Sequence, residues 1–252
     1  MDGESQRMKR RVYWGVIVLC LMASGYQFLE YQREQRWLAG RAQEIVDAAH
    51  ARSREERIKA LQGYIRRHVR YEGLAIEGRP FFRATAEQVL ATGEGFCGEA
   101  TRAFIALARP LGIRAQRVNL HGRANHVVAE TKLAPGQWVL VDVQENPVTN
   151  AFLDGRWWRL DDAMAAKASP FAYYSNINLR RLPIINLFVQ RIKLDIGWVS
   201  WALENPPLLK AFLFAGLASL FASLWMLDRI LLRVYAGRLG VYLSSARAAP
   251  LE

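Results

Sequence analysis

The stretch that decides the fold is GEGFCGEATRAFIALARPLGI, residues 93–113. Its alanine and leucine spacing predicts a helix that begins at Cys97 and stops before Pro110. At a helix N-terminus, free backbone N–H groups and the positive end of the helix dipole stabilise an anion and so favour a reactive thiolate. Gly95 and Gly98 have no Cβ, and we expect them to let a substrate's backbone approach the sulfur closely.

A nucleophilic cysteine needs a base, and the base needs an orienting group. Downstream, segments 125–131 and 136–143 are rich in β-branched residues and are joined by a Pro-Gly turn, which predicts an antiparallel hairpin. His126 enters the first strand and Asp142 lies near the end of the second. We therefore expect the hairpin to bring an imidazole and a carboxylate together beside Cys97.

A second histidine, His121, borders the same loop and is the alternative base. It ends the apolar run before the hairpin, whereas His126 opens the hairpin and can pair with Asp142. We therefore prefer His126. The other two histidines, His50 and His68, lie on predicted helices among arginines, and we interpret both as structural or surface residues.

These motifs carry a resemblance to a known family. The Gly95-Phe96-Cys97-Gly98 motif, the following helix with its LARPLGIRA ending, the strand-initial His126 and the WVLVD strand ending at Asp142 resemble the transglutaminase-like superfamily of papain-fold thiol enzymes. The likeness covers about residues 53–148. It implies an α+β, papain-like/transglutaminase-like core, in which the helix bearing Cys97 packs on an antiparallel sheet. It also assigns the nucleophile to Cys97, the base to His126 and the orienting acid to Asp142.

An oxyanion hole is the remaining part of such a site. A short helix is predicted from Thr85, with capping-box spacing through Gln88. Gln88 is a candidate oxyanion donor, because a glutamine upstream of the cysteine has that role in papain-like enzymes; a helix cap is the alternative. The backbone N–H of Cys97 is the other candidate donor. We find no convincing metal-ligand spacing, and we expect neither a metal nor a cofactor.

Two apolar runs explain a hydrophobic fraction of 52%. Residues 12–29 are almost wholly apolar, near the lower length limit for a membrane span, and follow three basic residues. We favour an uncleaved anchor over a signal peptide, because no small-residue cleavage site follows. The second run, at 211–227, has no polar face, which favours a membrane span over a buried soluble helix. Arginines beyond it predict that both termini are cytoplasmic.

The predicted organisation follows from these spans. We expect a cytoplasmic N-terminus (1–11), transmembrane helix 1 (12–29), a juxtamembrane helix (30–52), the transglutaminase-like domain (53–181), an amphipathic interfacial segment (182–205), transmembrane helix 2 (206–228) and a cytoplasmic tail (229–252). The domain would lie on the periplasmic or extracytoplasmic side of the inner (cytoplasmic) membrane.

Composition narrows the function classes. The formal charge of +11 comes with arginines that are scattered or flank apolar runs, and no nucleic-acid-binding motif is recognisable, so nucleic acid is not expected as a partner. Of the two cysteines, Cys20 falls in a predicted span, so no disulfide with Cys97 is expected. An unpaired thiol facing an oxidising compartment is either hidden or used.

The sequence therefore predicts a membrane-anchored thiol enzyme that acts on amide or peptide bonds through an acyl-thioester. Hydrolysis would make it a cysteine protease or amidase, and transfer to an amine would make it a transamidase. Its expected partners are a peptide, protein or other amide substrate, the lipid bilayer and other membrane proteins. The alternative is a non-catalytic membrane scaffold or binding protein in envelope or exopolysaccharide assembly.

Overall fold

The computed structural model describes residues 3–72, 83–122, 126–144, 157–160, 162, 174–178 and 197–247. Within these ranges the helices are α1 (Gly3–Ala48), α2 (Arg54–His68), α3 (Ala86–Thr92), α4 (Cys97–Ala108), α5 (Gly197–Glu204) and α6 (Pro206–Arg247), with a 3₁₀ turn at Arg109–Leu111. The strands are β1 (Ala115–Gly122), β2 (His126–Ala134), β3 (Gln137–Val141) and β4 (Tyr174–Asn178). Helices and an antiparallel sheet make up one fold, which confirms the predicted α+β class.

The sheet has the order β3-β2-β1-β4, and all its neighbouring strands are antiparallel. β2 and β3 form the predicted hairpin, in which Gly136 takes a positive φ of 74° at the turn. The register pairs Ala129 with Val141, the last residue of β3. The start of β2 and the residue after β3 therefore lie at the same end of the hairpin.

Capping boxes begin α2 and α3, and the second of them is predicted by the spacing of Thr85 and Gln88. The Ser53 side chain accepts a hydrogen bond from the Glu56 N–H at the start of α2, and the Glu56 carboxylate accepts one from the Ser53 N–H. Thr85 and Gln88 make the same reciprocal pair at the start of α3. Each box satisfies backbone donors that the first helical turn leaves free, which fixes where the helix starts.

Helix α4 is the centre of the hydrophobic core. It begins at Cys97 as predicted, and from Ala100 to Ala108 every residue is buried. It packs on β1 and β2, and the Thr101 hydroxyl donates to the Val127 carbonyl at 3.0 Å. Burying a large side chain such as Phe104 contributes about 1.5–3 kcal/mol, so this helix holds the sheet and its neighbouring helices together.

The residues group into two compact units: one comprises 1–29 and 210–252, and the other comprises 30–209. In the first unit, most of the large apolar side chains of α1 and α6 are exposed; examples are Leu19, Met22, Leu29, Leu220, Met226 and Leu227. Both helices are long and apolar enough to cross a membrane, by length and composition. Helix α1 continues without a break through the predicted juxtamembrane segment.

The sheet has a strand that the sequence analysis does not predict. Residues 174–178 form β4, which pairs with β1. This short strand has no clear apolar alternation, and edge pairing depends on β1 offering free backbone groups, which a local pattern does not reveal. Most of the predicted interfacial segment 182–205 lies outside the described residues, and its end forms α5.

A substitution at Gly93 tests how tightly the turn between α3 and Cys97 packs against the end of α2. It ends α3 with a φ of 68°, and a Cβ there would lie 2.8 Å from the His68 carbonyl oxygen. We predict that Gly93→Ala lowers the free energy of unfolding by more than the about 1–2 kcal/mol that the left-handed conformation alone costs. Thermal unfolding of the detergent-solubilised protein, followed by circular dichroism, measures the loss.

Gly136→Ala is the matched control. Gly136 has a similar φ of 74°, but a Cβ there meets no atom within 4 Å. We expect this variant to show the conformational cost without the steric one. Equal destabilisation of the two variants would contradict the close approach of Gly93 to His68.

Candidate active site

Cys97 is the first residue of α4, and its residue surface is 6% exposed. Phe96 precedes it in an extended conformation, and the Glu99 carboxylate accepts a hydrogen bond of 2.9 Å from the Phe96 N–H. This contact fixes the chain's entry into the helix. The thiol therefore lies where the helix dipole is most positive, as the sequence predicts.

His126 and Asp142 form a buried pair. The distance between His126 Nε2 and Asp142 Oδ2 is 2.9 Å, and the two residues are 2% and 1% exposed. His126 is the first residue of β2, and Asp142 directly follows β3. The hairpin thus places the two groups at its common end, and it is the tertiary packing of this end that removes them from water.

The thiol of Cys97 lies close enough to His126 to influence its ionisation. Burial opposes a charge on the ring, but the charge and hydrogen bond of Asp142, with a hydrogen bond and charge interaction from Cys97, raise the pKa of His126 to about 10. Because Asp142 contacts Nε2, the ring nitrogen left to exchange a proton with Cys97 is Nδ1. The structure brings all three predicted residues together.

The sign of this shift sets a pH window. The unperturbed imidazole titrates near 6.5, so at neutral pH the folded protein holds an imidazolium between a carboxylate and a thiol. The contribution of this cation to stability is complete below about pH 6.5. It is lost as the pH rises through about 10. An imidazolium beside a cysteine favours the thiolate form of the sulfur.

Two glutamines that the sequence analysis did not select support Asp142. Gln62 on α2 donates its side-chain N–H to the Asp142 carbonyl oxygen at 2.7 Å. Gln144 is 5% exposed; its backbone N–H donates to Asp142 Oδ1, and its side chain donates to the Gly95 carbonyl at 2.8 Å. Gln144 therefore connects the acid to the loop before Cys97. No local signal distinguishes these glutamines from surface residues.

The two glycines beside Cys97 face atoms of the protein itself. A Cβ on Gly95 would lie 3.1 Å from the Glu99 Cβ and 3.3 Å from a methyl group of Val89. A Cβ on Gly98 would lie 3.0 Å from Arg117 Nη1. Close packing is therefore sufficient reason for both glycines, and their role in substrate approach stays a prediction.

Gln88 occupies the capping position of α3. Its side-chain oxygen accepts the Thr85 N–H at 2.9 Å, and the residue is exposed. The contact is that of the helix cap, which was the alternative to an oxyanion role. The backbone N–H of Cys97, at the start of α4, is the other candidate donor, and its role stays a prediction.

The alternative base, His121, lies in β1, where its backbone is paired with Asn176 of β4. His68 stacks on Tyr64, with ring centroids 4.0 Å apart, which agrees with a structural role. Among the described residues, no group of three or more histidine, cysteine, aspartate or glutamate side chains is arranged to hold a metal ion.

Comparisons with known proteins match part of the chain. Residues 39–143 match the model of the transglutaminase-like superfamily, a range that contains Cys97, His126 and Asp142. A solved structure, a proposed cysteine protease from Cytophaga hutchinsonii, is 18% identical with a TM-score of 0.37; the match covers 43% of this chain and 37% of that chain. No curated protein matches the chain.

Asp142→Asn tests the coupling between the acid and the thiol. Removing the carboxylate charge should lower the pKa of His126, so that the imidazolium is lost at a lower pH and supports the thiolate less. We predict that the pH profile of Cys97 alkylation by iodoacetamide moves up by about one unit or more, which slows labelling about tenfold near neutral pH. Mass spectrometry of the labelled peptide, in a Cys20→Ser background, gives the rates.

Asp47→Asn is the control, because Asp47 is an exposed residue of α1 that contacts Gln43. It should leave the alkylation profile unchanged. An unchanged profile in Asp142→Asn as well would contradict a role for the carboxylate in the reactivity of Cys97.

Proposed function

We propose that this protein cleaves amide bonds with Cys97 as the nucleophile; the match of residues 39–143 to the model of the transglutaminase-like superfamily, a family of thiol enzymes, supports the proposal. The observation that carries the proposal is the convergence of Cys97, His126 and Asp142 from three separate segments. A helix start, a strand start and a strand end supply one group each. Such an arrangement has the parts that nucleophilic catalysis by a thiol requires.

The first half of the proposed reaction forms a thioester. The Cys97 thiolate attacks the amide carbonyl carbon, and the carbonyl oxygen becomes an oxyanion that the Cys97 N–H stabilises. The tetrahedral intermediate collapses, the C–N bond breaks and the leaving nitrogen takes a proton from His126 Nδ1. Asp142 keeps the ring in the orientation that directs Nδ1 to the thiol and stabilises the imidazolium.

The second half regenerates the thiol. Water or an amine attacks the thioester carbonyl and gives its proton to His126, which is neutral at this stage. The C–S bond then breaks, and the thiolate and imidazolium pair is restored. With water the product is a carboxylic acid, and with an amine it is a new amide. Hydrolysis is the broader expectation, because water competes wherever a site does not exclude it.

The membrane part of the proposal rests on exposed apolar surface. Trp14, Leu19 and Met22 of α1, and Leu220 and Met226 of α6, are each about half exposed or more. In water such surface is unfavourable by about 25 cal/mol per Å², whereas lipid tails match it. We propose that α1 and α6 span the inner membrane, that both termini are cytoplasmic and that residues 53–181 lie outside the cytoplasm. The predicted segment boundaries are part of this proposal.

The decisive test of activity is the acyl-enzyme. We predict that the purified full-length protein, given a peptide-amide library, releases ammonia or amine and carries an acyl mass on the Cys97 peptide. Adding a nucleophile such as a primary amine or hydroxylamine should divert part of the product from the acid to the amide or the hydroxamate, respectively. Cys97→Ala should lower turnover at least about 10³-fold, because removing a nucleophile leaves only the rest of the site. Mass spectrometry reads both products and enzyme.

Cys20→Ser is the matched control, because Cys20 is the other cysteine of the chain and lies in the apolar part of α1. It should retain full activity. Equal turnover in Cys97→Ala and the unchanged protein would refute the proposal that Cys97 is the nucleophile. Absence of both turnover and acyl mass across the library would instead favour the non-catalytic scaffold.

Topology is tested separately with reporters. We predict that a fluorescent protein fused after Glu252 is fluorescent, because that end is cytoplasmic. Alkaline phosphatase inserted near Gly155 should be active, because it needs export. The physical reason is the basic residues before the first apolar run and after the second, which favour the cytoplasmic side. Exchanging the two reporters is the control, and activity in the exchanged positions would contradict the topology.

A further inference from the structure

A buried ion pair lies beneath the start of α4. Arg117 of β1 contacts Glu204, the last residue of α5, through two parallel hydrogen bonds: Nε to Oε1 at 2.5 Å and Nη2 to Oε2 at 2.6 Å. The side chains are 14% and 9% exposed. A two-bond contact of this kind fixes the plane of the guanidinium as well as its position. Glu204 lies well beyond the family match, which ends at residue 143.

The same guanidinium reaches the residue after Cys97. Arg117 Nη2 also donates to the Gly98 carbonyl oxygen at 2.6 Å, and a Cβ on Gly98 would lie 3.0 Å from Nη1. The missing side chain of Gly98 is therefore what lets the cation approach the first turn of α4. Gly98 thus leaves room for Arg117, whereas the sequence predicts that it leaves room for the backbone of a substrate.

The cluster carries more positive than negative charge. Arg102 of α4, with its side chain 1% exposed, shares the Glu204 carboxylate with Arg117, at 3.5 Å from Nε to Oε2. Two buried guanidinium groups thus share one buried carboxylate, that of Glu204. Among the residues that the structure describes, charged groups that also interact with this cluster or with Cys97 are Arg83 and Glu99, from the segments around the thiol, and His126 with its partner Asp142. A thiolate at Cys97 would balance the excess charge.

Helix α5 is held in place by contacts on both sides of Glu204. Arg109 lies over the Trp201 ring at 3.9 Å, and the Trp201 indole N–H donates to the Tyr31 hydroxyl at 3.0 Å. Asn205 accepts a hydrogen bond from Gln35 at 3.2 Å. The carboxylate that holds Arg117 therefore belongs to a fixed element, which is the condition for precise support of a reactive group.

We propose that Arg117, held by Glu204, is a positioning residue for the reactive sulfur: it braces the backbone at Gly98 and its positive charge stabilises the Cys97 thiolate. The inference rests on the proposed role of Cys97 as the nucleophile. It extends the site to a residue of α5, which the family match does not include.

The ionisation of Arg117 agrees with this role. Burial opposes its charge, but the charge and hydrogen bonds of Glu204, followed by the charges of Cys97 and Glu99, raise the pKa of Arg117. Arg102 shows the opposite balance: burial outweighs its interaction with Glu204 and lowers its pKa to about 10.

Alkylation of Cys97 as a function of pH tests the proposal, with the full-length Cys20→Ser protein and iodoacetamide as the probe. Arg117→Met removes the charge but keeps much of the side-chain volume. We expect it to raise the pH midpoint of alkylation by about one unit, which slows labelling about tenfold below the midpoint. Arg117→Lys keeps the charge and should stay near the unchanged protein.

Glu204→Gln separates the effect of charge near Cys97 from the effect of the hydrogen bonds that hold Arg117 in place. An amide can still accept a hydrogen bond from Arg117, but it removes a negative charge from beneath the sulfur. The midpoint should then fall, opposite to the effect of Arg117→Met. A purely structural ion pair predicts instead that both variants reduce the thermal midpoint of unfolding and leave the alkylation midpoint unchanged.

Arg41→Met is the control, because Arg41 of α1 pairs with Glu44 and donates to the Tyr64 hydroxyl of α2 at 2.6 Å, which are contacts that do not involve the start of α4. It should not change the alkylation midpoint. Equal midpoints for Arg117→Met, Arg117→Lys and the unchanged protein would overturn the inference, as would a rise in Glu204→Gln equal to that in Arg117→Met. Alkylation does not depend on turnover, so this failure is distinct from failure of amide cleavage. Arg117→Lys keeps the test decisive if Arg117→Met does not fold.

Discussion

The buried hydrogen bond between His126 and Asp142 is the constraint on which the domain depends. An imidazole and a carboxylate that are almost fully removed from water can coexist only as partners, because either one alone would be a costly unpaired group. Their pairing requires the β2–β3 register that places the start of β2 beside the residue that follows β3. It also requires Gln62 and Gln144 to satisfy the remaining acceptors around Asp142. The hairpin geometry is thereby linked to the chemistry at its end.

Helix α4 supplies the other half of the site, and its packing has two consequences at once. Its apolar residues fill the core between the sheet and α2, and its first residue places a thiol beside the imidazole. The Thr101 to Val127 hydrogen bond fixes the helix against β2 near the point where His126 begins that strand. Stability and reactivity therefore depend on the same contact surface, and a change that shifts α4 along β2 would alter both.

In the part of the chain that the structure describes, most of the buried charged side chains lie close to α4. His126, Asp142, Arg102, Arg117 and Glu204 are all buried or nearly buried, and all of them surround the start of α4. Interior charge adds little to stability when compared with well-packed apolar side chains. Its concentration around one thiol is instead what a reactive site requires, since electrostatic interactions are stronger where water is excluded. The surrounding apolar core maintains that exclusion.

The sequence alone determined the elements whose signals are local: the helix starting at Cys97, the capping box at Thr85, the Pro-Gly hairpin and the two apolar helices. It also predicted the pairing of His126 with Asp142, because a short turn leaves antiparallel strand ends side by side. Only the tertiary structure revealed β4, the supporting glutamines, and the approach of Arg117 and Glu204 to Gly98. The hydrogen bonds of Arg117 with Gly98 and Glu204, and those of Gln62 with Asp142 and of Gln144 with Gly95, join residues 19 to 87 positions apart in sequence. No periodic pattern encodes which distant polar groups meet when the core closes.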